Sequence, residues 1–232
     1  MTERLGLHWF KAYGALRCAG KTLALVLALS GPAAANDQVT IAALGDSLTQ
    51  GYGLVPEQGF VPQLQDWLTA RGHRVSLINA GVSGDTTAGG LARIGWTLTA
   101  DVDALIVALG GNDLLRGLPP EASRANLDGI LQAAATAGVP VLLVGMEAPG
   151  NYGPEFKAAF DAMYPELATQ YGALHAKSFL GPLTDAALVD PRAALASYMQ
   201  ADGIHPNAAG VARIVGALGP VVEQLIAAVP QS

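Results

Sequence analysis

The chain has a single cysteine, Cys18, in 232 residues, which excludes an internal disulfide. It says little about compartment, because a domain of this size is stable without cross-links. Basic residues are also scarce, 13 against 19 acidic, for a formal net charge of −6. That deficit argues against broad electrostatic binding to nucleic acid or to an anionic membrane. No helix-turn-helix, zinc-finger or Walker pattern is present, so the common nucleic-acid and nucleotide-binding modules drop out. There is no HxH, no HExxH and no carboxylate cluster, and neither a metal nor another cofactor is expected. Past residue 36 there is no linker, repeat or low-complexity tract.

Long apolar runs are lacking too. The best sits near the N-terminus, at residues 23–29, and only fourteen residues separate Lys21 from Asn36. A membrane-spanning helix needs about 20. Arg4, Lys11, Arg17 and Lys21 precede or border the run, and Ala33-Ala34-Ala35 follows it. Basic, apolar and small-residue segments in that order make a secretory signal peptide over residues 1–35. An uncleaved interfacial anchor or a buried helix is the other reading of the same residues. No twin arginine is present, which favours the general secretory route. Cleavage after Ala35 removes one acid and four bases and leaves 18 acidic and 9 basic residues, net −9. The product is expected to be periplasmic or secreted, with no stable membrane insertion after cleavage.

What is present is a globular composition, 51% apolar and 14% charged, enough for one domain over 36–232. Residues 39–44 (VTIAAL) are apolar and β-branched, as in a buried strand. Apolar positions 60, 61, 64, 67 and 68 have helical spacing and predict a helix over 58–70. Strands follow at 75–80, 104–109 and 139–146, and a short one near Leu174. Helices are predicted over 87–99, 121–137, 155–171 (with a kink near Pro165) and 207–228. Strand and helix alternate throughout. That implies βα units, a central parallel sheet and helices on both faces, a doubly wound α/β/α sandwich.

Gly45-Asp46-Ser47-Leu48 closes the first strand, and a glycine-rich, loop-like stretch follows. A serine there projects above the carboxyl ends of the strands, where open α/β sheets place their sites. A serine hydroxyl needs a base and oxyanion donors to act as a nucleophile. His205, in Asp202-Gly203-Ile204-His205-Pro206, is a candidate base, and Asp202 is near enough to hold its ring. By itself this DxxH pattern reads more readily as an aspartate capping a turn and a histidine packed beside the last helix. Asn112, after two glycines at the end of the third strand, offers an amide donor or an ordinary Asx turn. The Gly81 N–H, after the second strand, offers another donor or simply a turn. Asp46 and Asp113 read as loop braces, and Asp101 with Asp103 as a solvated turn. His73 and His175 lack partner spacing and read as surface or packed histidines, and Gln50 receives no role.

Taken together and in order, GDSL with Ser47, the glycine block with Gly81, GGND with Asn112, and DGIHP with Asp202 and His205 resemble the four blocks of the SGNH (GDSL) hydrolase family. The resemblance covers about the whole of 36–232. LGGNDLLRGLPP (109–120), residues 149–153 and DGIHPN look most like the bacterial secreted acyl-CoA thioesterase I, lysophospholipase and arylesterase subgroup. It implies a flavodoxin-like fold and a cofactor-free serine ester hydrolase. Ser47 would be the nucleophile, His205 the base and Asp202 its partner. The oxyanion hole would be the Ser47 N–H, the Gly81 N–H and the Asn112 side chain. The implied substrates are small carboxylic esters, thioesters or lysophospholipids. Leu114, Leu115, Leu118, Pro149 and Tyr152, on loops at the same sheet edge, are candidates for the acyl-site wall. Two other readings stand: an O-acetyl esterase of carbohydrate, which would have a wide polar cleft, and a non-catalytic periplasmic binding protein. Nothing calls for a partner chain, and a monomer is the expectation.

The signal reading yields a first test. Secreted material is expected to begin at Asn36 on N-terminal sequencing, whereas a start at Met1 in a membrane fraction would mean an anchor.

Overall fold

The computed structural model describes residues 38–184 and 190–230; the predicted signal peptide over 1–35 lies outside the described residues. Strands β1 (Val39–Gly45), β2 (Val75–Gly81), β3 (Ala104–Ala108), β4 (Val141–Val144) and β5 (Leu174–Ala176) form one sheet in the order β2-β1-β3-β4-β5. Every pairing is parallel. The helices are α1 (Ser47–Gln50), α2 (Phe60–Thr69), α3 (Thr87–Thr97), α4 (Gly111–Leu115), α5 (Pro120–Ala137), α6 (Pro154–Tyr171), α7 (Pro191–Tyr198) and α8 (Ala208–Ala227). This is the doubly wound sandwich that the alternation predicts.

Successive side chains on a strand point to opposite faces. Ile41 and Ala43 of β1 join one core with α2 and α8, while Ala42 and Leu44 join a second core with α3, α5 and α6. Both faces are therefore apolar, which is why the central strands show no polar alternation. Helix α8 is long and apolar enough to span a membrane by composition. Yet its Val211, Ile214, Val215, Leu218, Val222 and Leu225 are buried in the first core. Each such aliphatic side chain contributes roughly 1.5–3 kcal/mol on burial. Helix α6 continues through Pro165.

The predicted element types hold, with ends moved by a few residues. Three short helices escaped the periodicity. α1 and α4 are only 4 and 5 residues long, too short to show a 3.6-residue period. α7 starts at a proline and is capped by the Asp190 carboxylate, which accepts from the Ala193 N–H.

The order β2-β1-β3 creates a switch point between β1 and β3, where crossover chains diverge to opposite faces. Gly45, at the end of β1, is in register with Gly81 of β2 and Ala108 of β3. The three loops that leave those strands start at one level.

Asp113 braces this edge, as expected, but over a longer reach than a local turn. Its buried carboxylate accepts from the Thr87 N–H (2.9 Å), the Thr87 hydroxyl (2.6 Å) and the Ser123 hydroxyl (2.8 Å). It thereby joins α4 to the starts of α3 and α5. The turn at Asp101 and Asp103 also does more than face solvent: Asp103 accepts from the Thr40 N–H at 2.7 Å and holds the start of β1. His73 has a partner remote in sequence, with Nε2 at 2.9 Å from Glu223 Oε1. Removing the Asp113 acceptor strands three buried donors, each costing about 1–3 kcal/mol. Asp113→Ala is therefore expected to lower unfolding free energy by about 3 kcal/mol or more, read from urea denaturation.

Candidate active site

Asp46 starts the site. Its side chain caps α1, accepting from the Leu48 N–H at 3.0 Å. Ser47 is thus the first residue of a helix, where backbone N–H groups have no intrahelical acceptor. The turn is tight. A Cβ on Gly81 would strike the Gln50 backbone N and meet the Asp46 carbonyl oxygen at 2.9 Å. Only glycine lets β2 end this close to α1.

The base arrives from 158 residues away. His205 Nε2 lies 2.9 Å from Ser47 Oγ, and His205 Nδ1 lies 2.7 Å from Asp202 Oδ2. The other oxygen of Asp202 accepts from the N–H groups of Ile204 (2.9 Å) and His205 (3.0 Å). The aspartate both caps the turn and holds the ring, so the two sequence readings were not exclusive. The imidazole contact, with help from these two N–H donors, lowers its carboxyl to about 2. With Nδ1 carrying a proton toward Asp202, Nε2 is the acceptor that a serine proton needs.

Two further contacts hold the histidine loop, and nothing in the pattern pointed to them. Gln200 donates through Nε2 to the carbonyls of Tyr52 (2.8 Å) and Pro206 (2.9 Å), bridging the loop after α1 to the loop of His205. The Tyr52 ring lies against the imidazole with centroids 4.6 Å apart.

Asn112 stands on α4 beyond the end of β3. Its neighbour Gly110 has φ +118°, and a Cβ there would strike the Tyr164 hydroxyl. That hydroxyl donates to the Leu109 carbonyl at 2.9 Å. Asn112 Nδ2 faces Asp46 Oδ2 at 3.4 Å, which leaves its second amide hydrogen available. Gly81 departs from expectation. Its N–H donates to Asn79 Oδ1 at 3.0 Å, so that donor is already engaged.

Beside Ser47 lies a cleft of about 280 Å³. Leu114, Leu115, Pro149 and Tyr152 line it as predicted, and Leu48, Met146, Leu180 and Ile204 add apolar wall. Leu118 does not line it. Gly117, at φ +59°, turns the chain back, and the Leu118 N–H donates to the Asp113 carbonyl at the base of α4. Leu48 and Ile204 were legible as neighbours of Ser47 and His205; Leu180 carries no local signal. Among the described residues no group of three or more His, Cys, Asp or Glu side chains could hold a metal ion.

Asp46 is only 2% exposed. Burial raises its carboxyl to about 6, against the lowering effect of the Leu48 N–H and the Asn112 amide. The folded chain therefore binds this proton more tightly than the unfolded chain. The resulting stability is present below the unfolded value near 4 and is lost as pH rises through about 6. Asp46→Asn keeps the cap and removes the titration. Relative to wild type, the variant is expected to gain up to about 3 kcal/mol between pH 4 and 7, measured by urea midpoints.

Residues 43–213 match the GDSL-like Lipase/Acylhydrolase family. The chain is 40% identical over 205 residues to esterase TesA of Pseudomonas aeruginosa, covering 88% of this chain and 96% of that protein. It is 37% identical over 177 residues to thioesterase 1/protease 1/lysophospholipase L1 of Escherichia coli K12, covering 75% and 78%. The solved structure of AlinE4, an SGNH-hydrolase family esterase, matches with a TM-score of 0.65 at 41% identity, covering 81% of this chain and 96% of that one. With the four sequence blocks gathered at one sheet edge and a family match over most of its length, the chain belongs to the GDSL-like lipase/acylhydrolase family.

Proposed function

We propose that this protein hydrolyses carboxylic esters and thioesters, lysophospholipids among them, through an acyl-enzyme on Ser47, and that it is exported. The observation that carries the reading is the unbroken contact from Ser47 Oγ through His205 to Asp202, at 2.9 and 2.7 Å, opening on an apolar cleft. Similar proteins named esterase and thioesterase/lysophospholipase support the substrate class. The basic, apolar and Ala33-Ala34-Ala35 segments support export.

Ser47 Oγ attacks the acyl carbonyl as His205 Nε2 takes its proton. Asp202 stabilises the imidazolium that forms. The carbonyl oxygen becomes an oxyanion beside the N–H of Ser47 and the free amide hydrogen of Asn112. Gly84 fits the third donor better than Gly81. Its N–H has no acceptor among the described residues, and its carbonyl is held by Arg116, four residues beyond Asn112, at 2.7 Å. The proton then passes from His205 to the departing alcohol or thiol. Water, activated by the same imidazole, releases the acid from Ser47. The acyl chain packs against Leu114, Met146 and Tyr152. An apolar wall of this kind disfavours a polysaccharide O-acetyl group as the natural substrate, and a mere binding protein has no use for the contact between Ser47 and His205.

A phosphonate ester is expected to label Ser47 alone, and Ser47→Ala to abolish p-nitrophenyl ester hydrolysis while keeping the fold. Labelling at another serine would end the assignment. Asn112→Ala is expected to lower kcat by about 10²–10³-fold with a smaller effect on KM, because its bond strengthens as charge develops. A near-normal kcat in that variant would remove Asn112 from the oxyanion hole.

A further inference from the structure

One side chain touches two of the three strand ends that the site is built on, those of β1 and β2, without lining the cleft. Arg93 of α3 donates through Nη2 to the Gly45 carbonyl (2.8 Å), through Nη1 to the Ala80 carbonyl (2.6 Å) and through Nε to Asp85 Oδ2 (2.6 Å). Gly45 closes β1 one residue before Asp46. Ala80 and Asp85 flank the loop 81–84. A single planar group therefore holds the root of the nucleophile's turn and both feet of the neighbouring loop.

We propose that Arg93 is a positioning residue for the reaction: its guanidinium locks the turn of Ser47 and the loop 81–84 into one unit and so sets the spacing of the oxyanion donors. The proposal rests on the reading of the site given above. Its geometry follows from the peptide bond. A peptide unit is planar and trans, so fixing the carbonyl oxygen fixes the N–H of the next residue. Holding the Gly45 oxygen fixes the Asp46 N–H, and with it the start of α1. Holding the Ala80 oxygen fixes the Gly81 N–H and the start of the loop. The Val82 N–H also donates to the Gly45 oxygen, at 3.0 Å, so the loop and the turn share that acceptor.

Lysine cannot replace this fork. Three different nitrogens of one rigid plane are used, and an ammonium is a point donor on a flexible stem. The pair with Asp85 is largely shielded, the side chains being 22% and 19% exposed, so it orients the guanidinium more firmly than a solvent-exposed pair would. Asp85 has room because Gly89 faces it: a Cβ there would meet Asp85 Oδ1.

The test compares Arg93→Ala and Arg93→Lys with wild type on p-nitrophenyl butyrate, together with melting temperatures. Displacing donors by about 1 Å costs up to about 10²-fold in rate, so Arg93→Ala is expected to lose 10- to 100-fold in kcat with KM nearly unchanged. Added guanidinium at low millimolar concentration is expected to restore part of that loss, and to do nothing for Ser47→Ala. Arg93→Lys, which keeps the charge and serves where the alanine variant fails to fold, is expected to remain impaired. Wild-type kcat per folded molecule in Arg93→Lys, or an Arg93→Ala loss that guanidinium leaves unmoved, overturns the proposal. Amide hydrogen exchange over 45–50 and 80–85 reads the clamp without substrate. Faster exchange there in Arg93→Lys supports it, and unchanged exchange overturns it. Failure of the site reading itself shows separately, as wild type that neither turns over esters nor forms a phosphonate adduct at Ser47.

Discussion

Parallel pairing of β1 with both of its neighbours is the constraint on which the rest of the structure depends. It sends every carboxyl end to one edge, and the register aligns Gly45, Gly81 and Ala108. Three loops then begin at the same height above the sheet. One carries Ser47, one carries Gly84, and one carries Asn112. The proposed chemistry needs these groups within a few ångströms of one carbonyl, and the sheet brings the roots of their loops together before any side chain contributes. Side chains refine it. Asp46 links the nucleophile's turn to Asn112, Arg93 links it to the loop 81–84, and Asp113 anchors α4 to α3 and α5.

The two buried aspartates illustrate how polar groups are used under the site. They stand next to Ser47 and Asn112 in sequence, and both are almost wholly buried. Each carboxylate collects donors from segments that would otherwise end loosely at the sheet edge. Asp113 takes hydroxyls and an N–H from two helices. Asp46 takes one backbone N–H and one side-chain amide, and burial outweighs these donors and raises its carboxyl. Burying a carboxylate is tolerable where it is well supplied with hydrogen bonds, and the supply differs between these two.

Most of the architecture was legible because its signals are periodic and long. Strands β1, β3 and β4 are short, unbroken apolar runs, and α2, α5, α6 and α8 repeat at helical spacing over ten or more residues. The contact of Ser47, His205 and Asp202 was legible because each stands in a compact block at a strand or helix boundary. What escaped depends on contacts between distant parts of the chain. Periodicity cannot reveal that Gln200 bridges Tyr52 to Pro206, that Arg93 reaches Gly45, or that Leu180 lines the cleft. Gly81 misled for a related reason. A glycine after a strand serves as a donor or as a point of close approach, and only the neighbouring helix decides. Here α1 lies so near that the glycine is required for packing, and its N–H is used by Asn79. Leu118 misled because Gly117 reverses the chain one residue too early.

Asp202 and His205 share one short segment, and the bonds that shape their pairing lie within residues 202–205. They behave as a prefabricated cassette that docks on the nucleophile rather than as two independently placed groups. Its moorings include the Gln200 side-chain bridge, the Gln200 N–H to the His205 carbonyl at 2.8 Å, the Tyr52 ring and the bond to Ser47. None of these bonds belongs to the ladders of the five-stranded sheet. The strength with which this segment is seated is therefore a local property, governed by its mooring rather than by the core.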